Sequence, residues 1–162
     1  MNLYLYIQLL YMKELNQKLK TNKKIPFSRQ AAINIMLCNA LVKETLLNEL
    51  KSDGLSLEQF NVLRILRGQK GNPLNLQDVQ ERMVSKMSNV TRLIDKLILK
   101  ELVERKQCDE NRRKIELYIT EAGRKKLSFL DPKIDKAEKD IVSKLNKEEL
   151  KQLNNLLTKI RA

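Results

Sequence analysis

The chain has 162 residues, 42% hydrophobic and only 4% aromatic, and its 32 Lys and Arg against 20 Asp and Glu give a net charge of +12. A domain of this length buries enough surface to fold without a metal or disulfide staple. Because there is no His and the 4 Gly form no GxGxxG or GxxxxGK loop, the common catalytic triads, His-ligated zinc and phosphate-binding loops are excluded. We expect no enzyme, no metal and no cofactor, and the positive charge favours a polyanionic partner such as nucleic acid.

The apolar N-terminus does not resemble a membrane or targeting segment. Met1–Met12 (MNLYLYIQLLYM) is shorter than the ~20 residues that span a bilayer, and it lacks the basic region and cleavage site of a secretory signal. We expect a cytoplasmic protein with no membrane partner. Residues 1–27 are interpreted as an N-terminal extension, and two interpretations of Met1–Tyr11 stay open. It is either a dimer-packing extension or a stretch outside the native protein, preceding a translation start at Met12.

A long helix is predicted over residues 28–52. Ser28, after Pro26, is the expected N-cap, and Gly54 is expected to supply a left-handed C-terminal cap. Apolar residues recur along this segment at helical spacing: Ile33, Met36, Leu37, Ala40, Leu41, Leu46, Leu47 and Leu50.

Capping residues mark the next three helices. Ser56 and Gln59 have the spacing of a capping box for a helix that ends near Gly68, and Asn75 and Ser85 are expected to cap the two helices that follow. These two helices are predicted over 76–83 and 86–100, with Leu76, Val79, Met83, Val90, Leu93, Ile94, Leu97 and Ile98 inward. Since so few residues separate them, they predict a helix-turn-helix.

The next segment has the pattern of a β-hairpin. Strands are predicted over 102–106 and 114–119, joined by a polar tip over 107–113. Ile115, Leu117 and Ile119 alternate with more polar residues, as in a half-buried strand. A hairpin directly after a helix-turn-helix makes that motif winged.

Two further helices close the chain. Thr120 is expected to cap the first, Pro132 to kink it, and Asn146 with Glu149 to cap the second. The helices over 28–52 and 120–161 carry more apolar surface than one small domain covers, which predicts a homodimer.

The predicted fold class is mainly α with a small β-hairpin wing. The winged helix-turn-helix is expected over about 55–120, within a domain over 28–162 whose N- and C-terminal helices serve dimerisation.

In motif order the chain resembles the MarR family of bacterial transcriptional regulators. The resemblance is carried by LSLEQFNVLRIL (55–66) and by MVSKMSNVTRLIDKLILKELVERKQCDENRRKIELYITEAGRKKL (83–127). Within these, SNVTRLIDKL matches the family's recognition helix, ELVER its first wing strand, and the segment through Thr120 and Gly123 its L-T-x-x-G. Two positions depart from the pattern: Asn111 stands where the wing motif D-x-R has Asp, and Glu101 stands where Gly is usual.

The predicted recognition helix offers base-reading side chains. Asn and Arg suit bidentate contacts to adenine and guanine, and Met and Thr methyl groups suit thymine. The candidate residues are Ser85, Lys86, Met87, Ser88, Asn89, Thr91 and Arg92. The alternative is that Ser85 and Ser88 only cap the helix while Asn89 faces solvent.

The wing tip offers a second DNA contact through Asn111, Arg112, Arg113 and Lys114. Such cationic side chains enter a minor groove or contact phosphates on either side of it. The alternative is that they form only a solvated surface, as a series of charged residues usually does. Arg105 and Lys106 are expected to contact the DNA backbone rather than bases.

The resemblance implies a repressor that binds double-stranded DNA as a homodimer at a pseudo-palindromic operator. It also implies a small anionic or aromatic effector between the winged domain and the dimer helices. Cys38 lies in a segment similar to the L-C-x-A-L of the family's organic-hydroperoxide sensors, so a thiol switch is one alternative and plain core packing the other. A winged helix that contacts another protein is the alternative from a different class.

Overall fold

The computed structural model describes residues 17, 18, 20, 25–84, 89–108 and 114–162, and the chain divides into two compact units, 1–41 and 42–162. Its elements are α1 (Phe27–Lys51), α2 (Leu57–Arg67), α3 (Leu76–Arg82), α4 (Val90–Leu99), β1 (Val103–Gln107), β2 (Ile115–Ile119), α5 (Glu121–Ile141) and α6 (Lys147–Arg161). This confirms the predicted fold class, mainly α with a two-stranded hairpin. In the described part of the chain no helix is both long and apolar enough to cross a membrane.

Helix α1 begins one residue earlier than predicted. The carbonyl of Pro26 accepts a hydrogen bond from the N–H of Gln30 at 3.0 Å, so Ser28 already lies in the first turn and the prediction of Ser28 as N-cap is wrong. The predicted C-terminus is confirmed, since Gly54 has φ +65°. Its N–H donates to the carbonyl of Lys51, and that of Leu55 donates to Leu50, which together form a Schellman cap.

The side-chain caps predicted for four helices are present. Ser56 and Gln59 form a reciprocal capping box at α2, and Asn146 forms one with Glu149 at α6. At α3, Asn75 forms a third capping box, with Asp78 as its partner. Thr120 caps α5 by accepting from the N–H of Gly123. Each satisfies backbone donors that a helix start leaves unpaired.

The core lies between the winged elements and α5. Its fully buried side chains are Leu50, Phe60, Val62, Leu63, Val79, Val103, Ile94, Leu97, Leu117, Leu127, Leu130 and Ile134. Leu76 and Ile115 were predicted to face inward and are exposed instead, because each is the first residue of its element and no neighbouring element covers it. Pro132 lies inside α5 without ending it, and the kink stays a prediction.

The hairpin pairs antiparallel in the register Val103↔Ile119, Arg105↔Leu117 and Gln107↔Ile115. Leu74, which lies between α2 and α3, adds an antiparallel bridge to Leu117 through hydrogen bonds of 3.2 and 2.8 Å. This bridge ties the connection before α3 to the wing, and both leucines are buried.

Candidate nucleic-acid interface

Helices α3 and α4 form the predicted helix-turn-helix. Val79 of α3 and Met83, the C-cap of that helix, pack in one buried cluster with Val90 and Ile94 of α4. The buried stripe along α4 is narrow, and Thr91 and Arg92 lie on the exposed part of its surface.

Helix α4 begins at Val90, later than the predicted Lys86. Asn89 has φ −133° and ψ 40°, outside the helical region, and its side chain caps nothing; its carbonyl accepts from the N–H of Leu93 at 3.4 Å. Asn is unfavourable inside a helix, because its side-chain amide forms hydrogen bonds with the backbone that compete with the helical ones. Of the predicted base-reading residues, Ser85, Lys86, Met87 and Ser88 lie outside the described residues.

The three described candidates of this helix, Asn89, Thr91 and Arg92, are all exposed. They lie at its N-terminal end, where a recognition helix presents side chains to base edges in a major groove. The guanidinium of Arg92 is a fork of donors that matches the acceptors of guanine. The geometry therefore leaves these side chains free to contact a duplex.

A second Schellman cap fixes the exit from α4 toward the wing. The N–H of Glu101 donates to Ile98 at 2.8 Å and that of Leu102 donates to Leu97 at 3.0 Å. Glu101 has φ +58°, the left-handed conformation that glycine adopts readily. The exit thus keeps the shape that a glycine would give, although Glu stands there.

The first turn of α5 contacts the segment that follows α4, at Glu101 and Leu102. The hydroxyl of Thr120 donates to the carbonyl of Glu101 at 2.7 Å and accepts from Gly123 at 3.0 Å. A Cβ built on Gly123 would lie 2.3 Å from the carbonyl oxygen of Leu102, closer than any real contact. Only glycine lets α5 approach this closely, which accounts for the T-x-x-G spacing.

The wing strands carry charge on both faces of the hairpin. On one face Lys106 pairs with Glu104 at 2.9 Å and lies 5.1 Å from the ring centre of Tyr118. The Tyr118 hydroxyl donates to Glu116 at 2.8 Å, and this hydrogen bond is the main cause that raises the pKa of Tyr118. Lys114 is exposed, and its carbonyl accepts from Cys108. The other wing-tip candidates, Asn111, Arg112 and Arg113, lie outside the described residues.

One interaction of the site was missed from the sequence. Asp95 of α4 accepts a hydrogen bond from Arg105 Nη2 of β1 at 2.9 Å. Arg105 therefore pairs with α4 instead of standing free. The motif R-L-I-D-K-L contains the Asp, but only the hairpin register brings Arg105 to it.

Ion pairs join α5 to the turn after α1 and to α2. Asp53 accepts from Lys126 at 2.7 Å and pairs with Lys133 at 3.4 Å, with 11% of its side chain exposed. The hydrogen bond from Lys126 is the main cause that lowers the pKa of Asp53. The guanidinium of Arg67 donates two hydrogen bonds, of 2.5 and 3.1 Å, to the carboxylate of Asp131.

A groove of about 390 Å³, lined mainly by polar and charged residues, lies between the C-terminal part of α1 and α5. It has the size of a small-molecule site, but its Lys133 and Lys136 are balanced by Glu49 and Asp140. Its charge therefore gives no preference for an anion. Within the described ranges no cluster of His, Cys, Asp or Glu has the geometry of a metal site.

Cys38 is exposed, so the interpretation that it packs in a core is wrong for the single chain. Its exposure follows from its position, since in this part of α1 its neighbours Met36, Asn39, Ala40 and Leu41 are exposed as well.

The comparisons with known proteins agree with this architecture. The model of the MarR family matches residues 55–115, from the start of α2 to β2. The structure of Bordetella bronchiseptica BpsR, whose DNA binding is regulated by 6-hydroxynicotinic acid, is 22% identical with a TM-score of 0.76, covering 86% of this chain and 98% of that one. This likeness confirms the fold.

Two sequence relatives are regulators. The uncharacterized HTH-type transcriptional regulator YpoP of Bacillus subtilis is 34% identical over 87 residues, which are 54% of this chain and 60% of YpoP. The chain thus spans well under the full length of that relative. The transcriptional repressor MprA of Escherichia coli is 25% identical over 146 residues, 88% of this chain and 83% of MprA.

Proposed function

We propose that this chain, which belongs to the MarR family of winged helix-turn-helix transcriptional regulators, binds double-stranded DNA in a sequence-specific way. The observation that carries the proposal is the exposed N-terminal end of α4, with Asn89, Thr91 and Arg92, in a helix-turn-helix followed directly by a hairpin. Because α4 is anchored by its buried stripe, these side chains would enter a major groove without disturbing the core.

We assign the base contacts to α4 and the adjoining turn. Arg92 suits guanine and Asn89 suits adenine, with Ser85, Lys86, Met87, Ser88 and Thr91 completing the surface. The wing residues Asn111, Arg112, Arg113 and Lys114 would lie along the backbone or in a minor groove.

We propose that the active form is a homodimer. No side chain of α6, all of which the structure describes, is buried, and Leu156 and Ile160 are 61% and 65% exposed. In the first unit, Phe27, Met36 and Leu41 are exposed as well. A two-fold partner covers such faces in most soluble oligomers, and it would present two α4 helices to one operator.

We further propose repression and control by a small molecule. MprA is a repressor and BpsR responds to 6-hydroxynicotinic acid, which supports the same scheme here with an anionic or aromatic effector. An effector acts only if it binds with different affinities to two arrangements of the paired α4 helices. The exposed Cys38 supports a thiol switch as the second route of control.

Selection of bound duplexes from a random-sequence pool tests the proposal. We expect a pseudo-palindrome with half-sites about 10–10.5 bp apart, bound by two chains. Binding of a single chain to one asymmetric half-site would contradict the dimer. Enrichment of no sequence, with capture of a protein partner instead, would favour the protein-contact alternative.

A further inference from the structure

We propose that Asp95 limits the sequence-independent affinity for DNA, because it withholds the charge of Arg105 from the DNA backbone. The inference rests on the proposed function and concerns the ion pair that joins α4 to β1, Asp95 Oδ1 to Arg105 Nη2 at 2.9 Å. No other acidic side chain lies in α4.

The hairpin register puts Arg105 at the junction of helix and wing. Arg105 is paired with Leu117 and lies between Val103 and Gln107 along the strand. Val103 and Leu117 are buried, so this face of the hairpin packs on the core, and Arg105 projects from its edge to the free surface of α4. Arg92 lies one helical turn before Asp95 on that surface. The pair therefore stands where a DNA backbone would pass between recognition helix and wing.

The solvent exposure of the Asp95–Arg105 pair limits its contribution to folding stability. The side chains of Asp95 and Arg105 are 50% and 37% exposed, and exposed pairs add little to folding stability. Its effect is on local charge. If Arg105 stays on Asp95, it contacts no phosphate; if it turns to a phosphate, it leaves an unpaired carboxylate beside the polyanion. In both arrangements the sum of the two charges is zero.

Sequence-independent affinity depends on the number of phosphates neutralised, with a slope of about 0.9 in log K against log salt for each. Removing the carboxylate frees Arg105 to neutralise one more phosphate. At about 0.1 M salt this corresponds to roughly eightfold tighter binding per subunit to DNA of any sequence. Asp95 thus lowers the affinity for DNA of any sequence.

The test measures binding to a short duplex of mixed sequence over a series of NaCl concentrations. We expect Asp95→Asn to steepen the slope by about 0.9 per subunit, and to do so only while Arg105 is present. In an Arg105→Gln background, Asp95→Asn should change the slope no more than Asp140→Asn does. Asp140 is an exposed carboxylate of α5, so its variant has the same net charge as Asp95→Asn but leaves Arg105 paired.

The outcomes separate this inference from the proposed function. Equal slopes for Asp95→Asn and Asp140→Asn would overturn the role of Asp95 and leave DNA binding intact. Arg105→Gln alone gives a second test: an unchanged slope supports the inference, whereas a loss of about 0.9 would show Arg105 on a phosphate already. A wild-type chain that binds no duplex would overturn both. Far-UV circular dichroism of each variant confirms that it is folded.

Discussion

Replacing Glu101 by glycine should stabilise the protein, although it removes a side chain. Glu101 has φ +58° at the C-terminal cap of α4, where its N–H and that of Leu102 close the Schellman hydrogen bonds. A left-handed conformation costs an L-residue roughly 1–2 kcal/mol, and glycine relieves that cost. Glycine also loses more backbone conformational entropy on folding, which lowers stability by roughly 0.5–1 kcal/mol. The difference is a gain of about 0.5–1 kcal/mol.

Thermal or urea unfolding followed by circular dichroism measures this gain. For a chain of this size we expect a Tm higher by about 2 °C, at one fixed protein concentration because assembly shifts apparent stability. Glu101→Ala is the matched control, since it removes the carboxylate and keeps the left-handed backbone. If Glu101→Gly were no more stable than Glu101→Ala, the strain at this position would not exist.

Three further perturbations test other parts of the structure. Gly123→Ala should destabilise by about 3 kcal/mol or more, because its Cβ would meet the Leu102 carbonyl at 2.3 Å; an unchanged Tm would contradict that close approach. The hydrogen bond from Lys126 holds the pKa of Asp53 below its usual value in the folded chain, so the stability it adds is present above its unfolded pKa and is lost as pH falls through the folded value. The stability difference between wild type and Asp53→Asn should therefore be constant near neutral pH and vanish in acid, and a difference that persists in strong acid would refute the ion pair. Leu156→Lys should yield monomers in sedimentation velocity if α6 lies in a dimer interface, with exposed Lys151→Leu as a control that stays dimeric.

Local sequence chemistry predicted the helix boundaries where a side chain itself makes the cap. Ser56 with Gln59 and Asn146 with Glu149 form their boxes within three residues, so no distant contact is needed to recognise them. The wing strands were predicted to within one residue, and in β2 the apolar Ile115, Leu117 and Ile119 alternate with more polar residues.

Features that depend on distant segments were not predictable in this way. Leu74 becomes a bridge partner because Leu117 lies beside it in the fold, and Arg105 meets Asp95 because the register of the hairpin brings it there. Glu101 takes a glycine conformation because the hydrogen bond from Thr120 and the approach of Gly123 hold it. The burial of Gln59, in contrast, depends on a local contact. Its side-chain oxygen accepts a hydrogen bond from the N–H of Ser56 in the capping box, and this bond permits the burial of a polar side chain.

The most direct test of the central claim, that α4 reads bases, is the effect of Arg92→Ala on two duplexes. On the selected operator we expect a loss of about 1–3 kcal/mol, which is roughly 5- to 150-fold in Kd. On mixed-sequence DNA at the same salt we expect a much smaller loss, because non-specific binding uses phosphates alone. Arg161→Ala, which removes an equal charge from the end of α6, should affect both duplexes equally and weakly. Equal losses on the two duplexes for Arg92→Ala, or no loss on either, would contradict the assignment of α4 as the recognition helix.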